Sequence, residues 1–206
     1  MRTISYKESV DFLLPRHYSG RIPSISYSFG CFENGILQAV CTFGTPASPF
    51  LCKGVAGDKW KSNVIELNRL CREDNFDFQL SEFVSWCLRQ LKKYNLIVVS
   101  YSDTAMNHHG YIYQACNFLY TGETKRRTDK YTEGGKHARH YSNDNQGSYR
   151  VVRSAKYRYI YICADKRTKR EMLNDLKYPI YKSYPKGDNN KDYTLGDYLK
   201  RELVKV

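Results

Sequence analysis

Two side chains in the stretch Leu96–Gly122, LIVVSYSDTAMNHHGYIYQACNFLYTG, have the clearest capacity for chemistry. Asp103 follows a continuous apolar run, Leu96–Tyr101, of the kind that forms a strand buried on both sheet faces. It falls just past the carboxyl end of that strand, where open α/β sheets place ligands. Gly110–Cys116 predicts a short helix, with Ile112, Ala115, Cys116 and Leu119 spaced for one apolar face. Tyr113 lies beside that face and could point back toward Asp103. A carboxylate and a phenol brought together in this way perform proton transfer. Asp103 equally suits an ordinary cap on the helix that follows, and Tyr113 an amphipathic cover for the core edge.

Other groups stand within reach of the same centre. VIELNRL (Val64–Leu70) reads as a strand whose alternation sends Glu66, Asn68 and Leu70 to one face and Ile65, Leu67 and Arg69 to the other. A buried Arg69 needs a partner, which Glu66 or Asp103 would supply, and it would then clamp a substrate phosphate or donor. His17 and Tyr18 precede Gly20 in a turn, by themselves an ordinary surface loop. His108, His109, His137 and His140 could supply iron ligands beside a carboxylate, but nothing in their spacing fixes such a geometry, so no metal ligand is assigned. The seven Cys are scattered without a CxxC pair and read as small buried hydrophobes in a reducing compartment.

The elements that must position these groups follow from periodicity and turn signals. Ser24–Cys31 and Ile36–Phe43 flank Phe32-Glu33-Asn34-Gly35 and predict a hairpin. Gly44–Gly57, with Pro46, Pro49 and several glycines, reads as an irregular loop. Leu80, Phe83, Val84, Cys87, Leu88 and Leu91 predict a helix over Gln79–Lys93. Glu123–Gly147 has almost no apolar residues and reads as a long exposed loop. Tyr149–Ile162 alternates apolar or aromatic with basic residues, giving one or two strands. A basic helix over Asp165–Leu176 and an extended arm over Tyr178–Gly187 close the pattern. The order predicts an α/β (α+β) chain, a mixed sheet with helices on its faces. We read residues 1–206 as a single domain with a core of about 17–162 and a basic extension over 163–206.

Charge separates the two halves. Residues 1–120 hold 12 Lys/Arg against 10 Asp/Glu, whereas residues 121–206 hold 21 against 11 and 11 of the 19 Tyr. A basic, tyrosine-rich half beside a near-neutral one suggests a catalytic core and an extension that grips a polyanion, with aromatic rings available to stack on bases. Lys136, Arg139, Arg153, Lys156 and Arg158 are the candidates for DNA backbone contacts. No apolar run approaches a membrane span and Met1–Val10 is not a signal peptide, so the expected setting is cytoplasmic, with no membrane partner.

A strand VIELNRL, a helix, a strand ending in YSD and then GYIYQACNF resembles the core of the Gcn5-related N-acetyltransferase fold over roughly residues 20–122. In that family a tyrosine at the position of Tyr113 often protonates the departing thiolate of coenzyme A. The family's glycine-rich pyrophosphate turn is missing. Cys71–Phe78, CREDNFDF, stands there with three carboxylates and no glycine, which argues against ordinary acetyl-coenzyme A binding. The set HYSG (His17–Gly20), ELNRL (Glu66–Leu70), SYSDTAMNHHGYIYQACNFLYTG (Ser100–Gly122), GKHARH (Gly135–His140) and YPK (Tyr184–Lys186) is similar to the Mom proteins of phages. That resemblance implies a transferase that converts adenine N6 in phage DNA to N6-carbamoylmethyladenine and shields the DNA from restriction. The implied partners are double-stranded DNA and a donor, acetyl-coenzyme A or another acyl or glycyl carrier, with iron as an implied cofactor. The implied site residues are Asp103, Tyr113, Arg69, Tyr18 and His17, working in the host cytoplasm. The competing readings are an ordinary N-acyltransferase acting on a protein or small amine, and a DNA-binding protein without catalysis.

Overall fold

The structure is a computed structural model that describes residues 1–130, 149–189 and 202–205. Among these, the elements in chain order are β1 (Arg2–Thr3), α1 (Tyr6–Arg16), β2 (Tyr27–Glu33), β3 (Ile36–Gly44), α2 (Pro49–Trp60), β4 (Val64–Arg72), α3 (Leu80–Leu91), β5 (Leu96–Asp103), α4 (Tyr111–Ala115), β6 (Leu119–Glu123), β7 (Arg127–Lys130), β8 (Tyr149–Arg153), β9 (Lys156–Cys163), α5 (Lys166–Asn174) and β10 (Leu203–Lys205). Seven strands form one sheet in the order β1-β2-β3-β4-β5-β9-β6, and β10-β8-β7 form a second, smaller one. The mixed α/β architecture expected from the sequence is therefore the one found. β4 and β5 pair in parallel and every other pairing is antiparallel among the described residues.

The pleat divides the core between the two faces of the large sheet. Ile65 and Leu67 of β4 and Leu96 and Val98 of β5 pack under Phe83, Val84, Cys87, Leu88 and Leu91 of α3. Val64, Ile97 and Val99 point the other way, onto Cys52 and Val55 of α2 and Met172 of α5. Phe12 and Leu13 of α1 cover Val40 beside them. The seven cysteines are all free, six of them buried.

Four local readings are corrected. First, α1 was not anticipated. Its signal is a capping box: the Glu8 amide donates to Ser5 Oγ at 3.1 Å and the Ser5 amide to Glu8 Oε2 at 2.7 Å. Second, part of Gly44–Gly57 is helix α2, started by Pro49 at its first position and broken at Gly57, whose φ of 77° only glycine adopts without strain. Third, Glu123–Gly147 is not all loop, because Arg127–Lys130 pairs with β8; residues 131–148 lie outside the described ones. Fourth, the alternation read along β4 fails at one residue. Phe43 pairs with Leu67 and Thr42 with Arg69, so Asn68 is an extra residue, a β-bulge. Beyond it Leu70 rejoins the α3 side with Leu67. Tyr149–Ile162 proves to be two strands in two different sheets.

The extension packs on the core. Its arm crosses α4 and β6: the Tyr181 amide donates to Tyr120 O at 3.0 Å and the Tyr184 hydroxyl to Phe118 O at 2.7 Å. The Tyr111 hydroxyl donates to Gly187 O at 2.7 Å.

Candidate active site

The parallel pair at the centre of the sheet is short. β4 and β5 are in register over Val64–Glu66 and Ile97–Val99, and beyond that point they part. The Ser100 hydroxyl donates to Leu67 O at 3.0 Å where the ladder has ended. β5 continues to Asp103 paired with β9 alone. The bulge at Asn68 turns β4 away at the same level. A fork opens between the two strands, at the place where α/β sheets bind ligands.

Asp103 ends β5 and is almost wholly buried. It caps the turn that follows, accepting from the Ala105 amide at 3.0 Å, and it also accepts from Ser154 Oγ. Lys156, its cross-strand partner on β9, completes the set with Nζ 2.8 Å from Oδ2. Burial pushes the Asp103 carboxyl up, but the Lys156 charge, with bonds from Lys156, Ser154 and the amide, overrides it and holds the group below the usual carboxylate range. Asp103 is thus ionised and fully engaged at neutral pH.

Tyr113 stands elsewhere. On α4 it packs against Phe118 and Tyr159, at ring separations of 5.3 Å for each. Its hydroxyl lies by Ser100, with Cys41 and Glu66 near enough to act on it electrostatically. Burial pushes the phenol to about 12. The expectation that Tyr113 points back to Asp103 is therefore corrected. The pleat explains the difference: Asp103 shares the α2 face with Tyr101, while Ser100 and Tyr113 belong to the α3 face.

His17, Tyr18 and His108 gather beside Arg69. The His17 and Tyr18 rings stack at 4.5 Å and Tyr18 meets His108 edge-on at 5.9 Å. The Ser19 amide donates to His17 Nδ1 at 3.2 Å, which puts the neutral ring's proton on Nε2. Burial, then the Arg69 and His108 charges, lower His17 to about 3. His108 is lowered by burial too, against the pull of Asp103. Arg69 anchors on carbonyls, with Nε and Nη2 donating to Arg21 O at 3.3 and 3.2 Å and Nη1 to Asn68 O at 2.6 Å. Among the described residues no three His, Cys, Asp or Glu side chains meet as a metal site, and His137 and His140 lie outside those residues. Among the described residues the groups present do not fit iron, and no step is routed through it.

The turn before α3 bears on the donor. Glu73 is drawn back to Arg16, with Oε1 2.6 Å from the guanidinium, while Asp74 and Asp77 stay exposed. The first residue of α3 follows Gln79, which makes no side-chain cap. Nothing in that turn favours a pyrophosphate.

The proposed DNA contacts separate into four kinds, of which Lys156, paired with Asp103 at 2.8 Å, is one. Lys136 and Arg139 lie outside the described residues. Arg153 lies on the small sheet, bonded to Asp129 at 2.6 Å. Arg158 is turned inward: it donates to Thr121 O at 2.7 Å and Thr121 Oγ1 at 3.0 Å, and its guanidinium lies 3.4 Å from the Tyr178 ring centre. It is a strut inside the fold, and phosphate contact is withdrawn for it. Arg158→Ala is expected to cost about 2 kcal/mol, the loss of bonds from a buried charged donor, read as a lower urea midpoint with unchanged slope.

These features define a mixed-sheet α/β protein with helices on both faces of the sheet. The Mom protein family matches residues 1–186, and the chain belongs to that family. Nothing among curated proteins matches it. Solved structures similar to it include an N-acetyltransferase from Staphylococcus aureus Mu50, 17% identical, covering 66% of this chain and 67% of that one with a TM-score of 0.41. The ribosomal-protein-S18-alanine N-acetyltransferase from Escherichia coli is 9% identical over 79% of this chain and 92% of its own, with a TM-score of 0.46. A Bacillus subtilis acetyltransferase in complex with CoA is 13% identical over 78% and 86%, with a TM-score of 0.40. At these identities the likeness is one of fold and carries no substrate.

Proposed function

We propose that this chain is a phage DNA-modifying transferase that converts adenine N6 to N6-carbamoylmethyladenine in duplex DNA and so protects it from restriction. The observation that carries the reading, beside family membership, is the fork. Groups able to move protons and hold charge converge where β4 and β5 part, at the end of the sheet where ligands bind. Adenine N6 is a poor nucleophile because its lone pair is delocalised into the ring. It must be flipped out of the duplex, held against an electrophilic carbon and relieved of a proton. Tyr113 remains protonated at neutral pH and suits the role of proton donor to the leaving group. Lys156, fixed by Asp103, and Arg69, fixed by the Arg21 and Asn68 carbonyls, set the charge around the base or donor. His17 offers Nε2–H, and Tyr18 a ring edge, to the flipped base.

Phosphate contacts then fall to Arg153, Lys136 and Arg139. Activated donors of the acyl-coenzyme A class fit the fold type, though the acidic turn before α3 disfavours a mode that depends on a pyrophosphate. That turn also weighs against an ordinary N-acyltransferase. Among the described residues no helix is long and apolar enough to cross a membrane.

The test is direct. The chain is expressed in a bacterium, the DNA digested to nucleosides and their masses measured. Deoxyadenosine heavier by one carbamoylmethyl group is expected; an unmodified pool in cells rich in folded protein would sink the reading.

A further inference from the structure

Glu66 is the last residue of β4 in register with β5, so its carboxyl stands at the mouth of the fork. It is half-buried, yet among the described residues no hydrogen bond or ion pair reaches it. That is the reverse of Asp103, whose oxygens are taken by Lys156, Ser154 and a backbone amide. The groups that interact electrostatically with Glu66 come from five elements. Arg69 lies on its own strand and Lys156 on β9, and both favour its charge. Tyr101 of β5, Tyr113 of α4 and Cys52 of α2 feel that charge in turn. Sequence reading named Glu66 only as a partner for Arg69, but no bond joins them.

Among the described residues the Glu66 oxygens do not belong to the buried polar atoms that lack a partner, so they open to solvent, where a ligand can take the place of water. Two nearby cations offset part of the cost of withdrawing its charge and leave the lone pairs open. The other bases in the cluster are spoken for. His17 Nδ1 already accepts from Ser19 and its other nitrogen carries the proton.

We propose that Glu66 is the proton acceptor for the exocyclic amine of the flipped adenine. This rests on the reading of the fork as an adenine-modifying site. As N6 attacks the donor's electrophilic carbon, the N–C bond forms and the bond to the leaving group breaks. The leaving group departs with that electron pair and takes a proton from Tyr113. The proton that N6 must lose passes to a Glu66 oxygen, so that one N–H is exchanged for one N–C bond and charge is conserved. Burial raises the Glu66 carboxyl above its ordinary value against the pull of Arg69 and Lys156, which makes it a stronger base than an exposed carboxylate.

The experiment compares wild type, Glu66→Gln and Glu66→Asp in cells, with modified deoxyadenosine counted by mass spectrometry. Purified chains are checked by thermal melts and by fluorescence of a duplex carrying 2-aminopurine at the target position. Glu66→Gln is expected to keep its melt and its 2-aminopurine signal but to lose about 100-fold of the modification. Glu66→Asp, which keeps a carboxylate one methylene shorter, is expected to recover part of it. Equal modification by wild type and Glu66→Gln overturns the assignment, and so do folded Gln and Asp variants that are equally impaired. No modification by wild type overturns the reading of the fork instead, and the two failures are told apart by that control.

Discussion

Asp103→Asn is expected to destabilise the fold by about 3 kcal/mol at pH 7, the lower end of what removing one partner of a buried ion pair costs. The lower end applies because Lys156 is 32% exposed at its side chain, so its stranded charge still reaches water. The sign of the pH dependence follows from the depressed carboxyl. A group whose folded pKa lies below its unfolded value, near 3.9 for Asp, contributes stability that is present above the unfolded value. That contribution is lost as pH falls through the folded one. The gap between wild type and Asp103→Asn is therefore full at pH 7 and shrinks as pH falls below the unfolded value of about 3.9 and through the depressed folded one. Urea titrations at several pH values measure it. A gap that does not move with pH would mean that the carboxylate's charge contributes nothing and that only packing was disturbed. Lys156→Met in the same background should show coupling of at least about 1 kcal/mol, because the two residues share one interaction.

The Asp103 carboxylate is already occupied by Lys156, Ser154 and the Ala105 amide. A strand-end carboxylate looks like a base in the sequence because position is all the sequence displays. Its saturation with donors from Ser154 and Lys156 depends on β9, some fifty residues away, crossing beside β5. No local pattern carries that. Elements that specify themselves were legible. The apolar run from Leu96 and the helical spacing from Leu80 each bury enough surface to fix their own conformation. β7 was not, since Arg-Thr-Asp-Lys has no strand pattern and becomes one by pairing with β8. The bulge at Asn68 was hidden because VIELNRL alternates acceptably in either register.

Charge and aromatic content misled in an instructive way. The alternation of basic and aromatic residues along Tyr149–Ile162 looks like a surface for nucleic acid. β9 is an interior strand between β5 and β6, so both of its edges are paired, and most of its side chains are buried. Tyr159 is fully buried, and Tyr113, Tyr120 and Tyr184 surround it in one aromatic cluster. Those rings hold the arm and α4 to the sheet. They are not available to stack on bases, and Arg158 is bound to Thr121 beneath Tyr178. Of the basic residues of this strand, Lys156 alone keeps a partly exposed side chain, held by Asp103.

Tyr113→Phe is expected to reduce modification by about 10²–10³ while leaving stability within about 0.5 kcal/mol of wild type. The reason lies in what each half of the side chain does. The ring makes the packing, against Phe118 and Tyr159, and phenylalanine keeps it. The hydroxyl makes no core contact that phenylalanine would miss beyond its approach to Ser100. With its pKa pushed to about 12 by burial, the phenol holds its proton throughout the physiological range. It gives that proton up only to a strongly basic group, such as a leaving group that is developing negative charge. Cellular modification is measured beside the melt of the purified chain. Full modification with a normal melt would remove Tyr113 from the chemistry and return it to the core edge. Lost modification with a collapsed melt would contradict the division of labour between ring and hydroxyl. The predicted pattern is a silent melt with failing chemistry. The proposed donor then lies on the α3 face and the proposed acceptor Glu66 on the α2 face, so one substrate would have to enter the fork between β4 and β5 to meet both.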